Sequence, residues 1–183
     1  MTYQTHALFS LVAAIIIIKT LSFLEISELS FLIESPFLTS GSIHFYLGLI
    51  GGSLLPDIDH INSKAGRKLW FIAKPLKLFG IKHRGLTHSL LGVVLFALLT
   101  RQLLINGWIN SLAWYGIMLG YLSHLIADMF NPQGIPLFYP NQKRFDFKFQ
   151  IATSSWKEHL FFLVLIIGLL LFFYRQKIEL PFL

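Results

Sequence analysis

The chain has 183 residues, of which 55% are apolar and only 13% charged. A soluble domain typically carries about 25% charge, so this composition excludes a disordered chain, a coiled coil and an ordinary water-soluble globule. The length accommodates one domain, residues 1–183. Its net charge of +6 suits anionic lipid better than nucleic acid in so apolar a chain. No nucleic-acid motif accompanies the cations, and no nucleic-acid partner is expected. There is no cysteine, so any metal must be held by nitrogen and oxygen.

A membrane-spanning helix needs about 20 mostly apolar residues. Five segments approach that length, and together they predict an all-α, multi-pass helical bundle. The first is Ala7 to Leu24, interrupted only by Lys19. It carries no leader signature, because the first six residues lack Lys and Arg and no A-x-A site follows. The second, Phe37 to Leu55, is short and ends at Pro56, with Gly48, Gly51 and Gly52 inviting close helix packing. The third runs from Leu86 to about Leu104, the fourth from Trp108 to Phe130, and the fifth from Leu160 to Tyr174.

The connecting segments set the expected orientation. Residues 60–85 hold Lys64, Arg67, Lys68, Lys74, Lys77, Lys82 and Arg84, and residues 131–159 hold Lys143, Arg144, Lys148 and Lys157. The segment after the first helix has Glu25, Glu28 and Glu34 and no basic residue. Positively charged loops stay in the cytoplasm. The N-terminus is therefore expected inside and the C-terminus outside, although Arg175 and Lys177 oppose this. Within the first basic loop, Leu69, Trp70, Ile72, Leu76, Leu78 and Phe79 alternate with Lys68, Lys74 and Lys77, which suits a segment lying on the bilayer surface.

Ionisable residues at a membrane edge are costly and mark candidate sites. On this topology His6, Asp57, Asp59, His60, His83, His88, His124 and Asp128 all fall at one face, although they come from four helices. His124 and Asp128 are four residues apart and share a helix face. Imidazole and carboxylate suit Zn²⁺, Mn²⁺ or Fe²⁺ when thiolates are absent. His44 lies toward the opposite end of its helix, and His159 is isolated beside Glu158; both are left outside the cluster.

The stretches THALFS, LLPDIDHINS, HRGLTHSLL and GYLSHLIADMFNPQGIPLFYP, spanning about Thr5 to Arg144, resemble the YdjM family. Its members are bacterial inner-membrane proteins described as LexA-regulated, metal-dependent hydrolases, which implies a link to the SOS response. The resemblance maps the family's motif residues onto His6, Asp57, Asp59, His60, His83, His88, His124 and Asp128. The arrangement is also similar, remotely, to zinc phospholipase C and P1-type nucleases, which implies a phosphoester substrate.

Together these readings give a concrete expectation. A divalent cation, with Zn²⁺ first choice, is held by His6, Asp57, His60, His83, His88, His124 and Asp128. Asp59 acts as the base that orients or deprotonates water, and Arg84, assisted by Lys82, neutralises a phosphate. Thr87 and Ser89 donate further hydrogen bonds, and a membrane lipid or lipid-linked phosphoester is the substrate class. The competing expectation is a metal or proton transporter using the same ligands.

Overall fold

The computed structural model describes residues 1–24, 40–78 and 84–176. Among these residues the fold is all-α. The long helices are α1 (Tyr3–Phe23), α2 (Ser40–Gly52), α5 (Leu90–Ile105), α6 (Ser111–Met129) and α7 (Trp156–Gln176). Two short helices, α3 (Lys64–Lys68) and α4 (Trp70–Leu78), follow a 3-10 turn at Pro56–Asp59, and a second 3-10 turn covers Leu86–His88. The five expected apolar segments thus appear as the five long helices, with several ends shifted; the expected start of the second, Phe37, lies outside the described residues.

Those shifts have local causes. Pro56 begins the first 3-10 turn, and α2 has already stopped at Gly52. The third segment was expected to start at Leu86, but Ser89 caps α5 instead, its Oγ accepting from the Gly92 N–H. The preceding residues, Leu86 to His88, therefore form a separate turn. Asn110 caps α6 in the same way through Ala113.

The distribution of polarity is that of a membrane protein. Leucines of α5 (Leu98, Leu99, Leu103) and apolar residues of α7 (Leu163, Val164, Leu170, Leu171) are exposed, whereas His6, Arg84, His88, His124 and Asp128 are buried. Segments Tyr3–Leu21 and Trp156–Arg175 are long and apolar enough to cross a membrane, and α5 is a shorter apolar helix. The protein is an all-α membrane helical bundle.

Helices α2 and α6 make the closest pair, and glycine is the reason. A Cβ at Gly52 would lie 2.1 Å from the Ile117 carbonyl oxygen, and one at Gly120 would lie 2.1 Å from that of Leu49. Gly48 and Gly116 approach Ala113 and Phe45 as tightly. Small residues four apart on both helices let the two backbones touch. Gly51, also expected at a packing face, points to open space.

The segment after α6 folds back on the same end of the bundle. The Phe147 and Ile151 N–H groups donate to the Met129 and Phe130 carbonyls, both at 2.7 Å. Ile135 is fully buried against Tyr121 and Leu125 and pairs with Phe145 in an isolated antiparallel bridge.

Candidate metal centre

Five polar side chains converge where α1 and α5 begin and where α2 and α6 end. Asp57 is supplied by the 3-10 turn after α2, and His88 by the turn before α5. His124 and Asp128 come from the last turns of α6, and His6 from the first turn of α1. The two glycine-packed helices fix one side of this meeting: His124 Nδ1 lies 2.6 Å from the Ser53 carbonyl oxygen, just beyond α2.

The donor atoms face one another at short range. His88 Nε2 and His124 Nε2 are 3.3 Å apart. Asp128 Oδ2 lies 3.4 Å from His88 Nε2 and 3.7 Å from His124 Nε2. Asp57 Oδ1 lies 3.5 Å and 3.8 Å from the same two nitrogens. Donors placed about 2.0–2.1 Å from a tetrahedral Zn²⁺ are separated from each other by about 3.4 Å. The observed spacings, 3.3–3.8 Å, bracket that value.

His6 joins from the other side of Asp128. Its Nε2 is 3.4 Å from Asp128 Oδ1, and its ring stacks on His124 with centroids 3.8 Å apart. One candidate set of donors is His88, His124 and Asp128, and a second is His6, Asp57 and His124. Because they share His124, they form one centre.

Two further observations fit a cation. Among the described residues, Asp128 Oδ2 and His6 Nδ1 are buried without a hydrogen-bond partner, which is costly for a polar atom unless something charged completes the site. Burial would raise the Asp57 carboxyl, yet His124, His88 and His6 hold it well below the usual carboxylate range. Burial likewise disfavours a charged His88, but Asp57 and Asp59 outweigh it and raise this imidazole to about 9. The imidazoles thus keep Asp57 ionised, the form in which a carboxylate binds a cation. The donor set of the centre fits a divalent metal.

Both α5-side and α6-side imidazoles have their outer nitrogens engaged. His124 Nδ1 meets the Ser53 carbonyl, and His88 Nδ1 lies 3.1 Å from Thr87 Oγ1 and 3.6 Å from Asp59 Oδ2. Contacts of this kind set the tautomer and turn Nε2 toward the other donors. Asp59 Oδ2 also accepts from Thr87 Oγ1 at 2.5 Å and from the Arg84 N–H at 3.2 Å. Asp59 therefore sits behind His88.

Arg84 occupies the remaining side. Its Nη2 donates to Asp128 Oδ1 at 2.9 Å and its Nη1 to Gln133 Oε1 at 3.3 Å, while Nε is buried without a partner among the described residues. The residue has φ +56°, a left-handed conformation that is costly outside glycine and recurs at functional sites. The Met1 ammonium group also approaches Asp128 Oδ1, at 3.3 Å.

Several expected residues fall elsewhere. His60 caps the first 3-10 turn, half-buried, and belongs to neither donor set among the described residues. His83 and Lys82 lie outside the described residues. Thr87 and Ser89, expected to face a substrate, are instead committed inside the protein, to Asp59 and to the α5 cap with the Leu86 carbonyl. His44 and His159 are exposed and outside the centre, as expected.

Sequence reasoning missed four supporting groups. Gln133 holds Arg84, the Ser53 carbonyl holds His124, and Tyr121 Oη donates to the Thr87 carbonyl at 2.5 Å. Glu158 accepts from the Thr2 and Ser154 N–H groups and so fixes the start of α1 near the centre. None of these has a spacing that marks it in the sequence.

Comparison with known proteins agrees with this architecture. The family model described as YdjM inner membrane protein matches residues 1–181. The inner membrane protein YdjM of Escherichia coli (strain K12) is 43% identical over 150 residues, covering 79% of this chain and 68% of the relative. The Shigella flexneri protein of the same name matches equally. The YvsG protein of Bacillus subtilis (strain 168), described as uncharacterized, is 35% identical over 124 residues, or 67% of this chain and 74% of the relative. No solved structure matches the chain. The whole-chain match and the 43% identity establish that this chain belongs to the YdjM family of inner membrane proteins.

Proposed function

We propose that the chain is a multi-pass, metal-dependent hydrolase of the bacterial inner membrane, acting on a phosphoester or lipid-linked substrate at the cytoplasmic face. The convergence of Asp57, His88, His124 and Asp128 donor atoms at 3.3–3.8 Å carries this reading. His6 adds a fifth donor. A divalent cation there, with Zn²⁺ favoured and Mn²⁺ or Fe²⁺ compatible, would supply Lewis acidity toward a substrate oxygen and a lowered water pKa.

The chain's own residues supply orientation and charge. Ser53 and the Thr87–Asp59 pair hold the two imidazoles in register. Arg84, steadied by Gln133, presents a guanidinium beside the donors, suited to an anionic ester oxygen. Burial of His88, His124 and Asp128 limits competing bulk water.

The transporter alternative draws on the same ligands. Transport sites sit near the bilayer midplane and open to both sides in turn. Here every donor lies at a helix end, on one edge of the bundle. The end-on position favours hydrolysis.

The test is metal-loaded, detergent-purified protein assayed against phospholipids and soluble phosphoesters, with chelated protein as control. Metal-dependent turnover that Asp128→Ala abolishes supports the proposal. Stoichiometric metal without turnover on any phosphoester favours binding or transport instead.

A further inference from the structure

Helix α4 carries an apolar face that no other part of the described chain covers. Trp70, Phe71 and Leu78 are 56%, 57% and 86% exposed, and Lys74 and Pro75 are exposed with them. At about 100° per residue, these five positions fall within an arc of about 140° on one side of the helix. Ala73, fully buried, points the other way and seats the helix on the protein. The face is therefore turned outward as a unit.

Its charge pattern names the occupant. Lys64, Arg67 and Lys68 are exposed on α3, immediately before this face, and the Lys74 ammonium lies over the Trp70 ring, 4.8 Å from its centroid. A tryptophan and a phenylalanine beside long cationic side chains match the boundary between acyl chains and head groups. Lysine there lays its stem along apolar material and keeps its ammonium in the polar layer. The cations select a negatively charged layer.

The same segment is tied to the metal centre. Ser63 Oγ donates to the Asp57 carbonyl at 2.7 Å and accepts from the Gly66 N–H at 2.8 Å. A Cβ at Gly66 would lie 2.1 Å from the His60 carbonyl oxygen, so α3 is pressed directly against the turn that bears Asp57. We infer that α4 is a lipid-docking helix that inserts its Trp70–Phe71–Leu78 face among anionic lipids of the protein's own membrane, beside the metal centre. The inference stands on surface geometry and charge and is independent of hydrolysis.

The absence of cysteine makes a direct test clean. Arg67→Cys, Phe71→Cys, Ala73→Cys and Leu78→Cys, each spin-labelled in the full chain, are reconstituted in nanodiscs of phosphatidylcholine alone or mixed with phosphatidylglycerol. Collisions with oxygen report the acyl region, and collisions with a soluble nickel chelate report water. Labels at Phe71 and Leu78 should show an oxygen-to-nickel ratio several-fold above that at Arg67, and the ratio should rise with phosphatidylglycerol. Combined Arg67→Gln, Lys68→Gln and Lys74→Gln changes, with the label at Phe71, should remove that rise. Equal nickel access at Phe71 and Arg67 would overturn the inference. So would labels shielded from both reagents, which would mean that protein covers the face, and so would an indifference to lipid charge.

Discussion

The Nε2 atoms of His88 and His124 lie 3.3 Å apart, on residues 36 positions distant in the chain. Each ring has its Nδ1 engaged by another group, so the two Nε2 atoms confront each other with a carboxylate oxygen of Asp57 and of Asp128 within 3.8 Å of both. Two such nitrogens can share a proton or a cation. The proposed metal centre takes the second course.

His88→Ala and His124→Ala should each weaken metal binding by more than the about 10–100-fold typical of losing a supporting contact. Isothermal titration of purified variants with Zn²⁺ measures this. His159→Ala, exposed and bonded, among the described residues, to the Ser155 carbonyl one turn away, should match the wild type. Unchanged affinity in both cluster variants would remove these imidazoles from the ligand set.

Asp59 separates two roles that the sequence left together. The proposed base would lose turnover on substitution while keeping its metal. The geometry favours positioning, because Asp59 Oδ2 takes the Thr87 hydroxyl and lies behind His88. Asp59→Asn should then lower metal affinity by about 10–100-fold, with Thr87→Val changing it in the same direction. Normal affinity with abolished turnover would restore the base.

Packing of α2 on α6 gives a prediction that does not depend on metal. Gly52→Leu or Gly120→Leu must push a side chain into the Ile117 or Leu49 carbonyl, at a cost of about 1–3 kcal/mol or more. Gly51→Ala meets nothing within 4 Å and should be neutral or stabilising by about 0.5–1 kcal/mol. Thermal unfolding in detergent compares the three. Equal melting temperatures would contradict backbone contact between these helices.

The proposed orientation rests on charge. Reporter fusions at Lys74 and Lys143 should read cytoplasmic, and fusions at Glu28 and Arg101 periplasmic. Glu28 lies outside the described residues. A cytoplasmic signal there would reverse the proposed topology.

What was legible in the sequence is the chemistry that needs particular residue types. His6, Asp57, His88, His124 and Asp128 stood out because ionisable groups are rare in so apolar a chain, and the alternating helices put them at one end. Gly48 and Gly52 stood out in a glycine-rich stretch, whereas their partners Gly116 and Gly120, at the same four-residue spacing, were passed over in an aromatic segment. The Ser53 carbonyl was invisible, since every residue has one. Thr87 and Ser89 were read as substrate donors because a hydroxyl next to a cluster looks free until its local turn is known. His60 followed its neighbours into the expected ligand set, yet the tight 3-10 turn places it at the cap, outside the two donor sets.

The most direct measurement is metal content of detergent-purified wild type, Asp128→Ala and His44→Ala by elemental analysis. Asp128 supplies the orphaned Oδ2 at the heart of the donor set, and His44 is exposed near the opposite end of α2. Near-stoichiometric zinc, manganese or iron is expected in the wild type and in His44→Ala, with a large loss in Asp128→Ala. Equal metal in both variants, or none in the wild type, would contradict the metal centre.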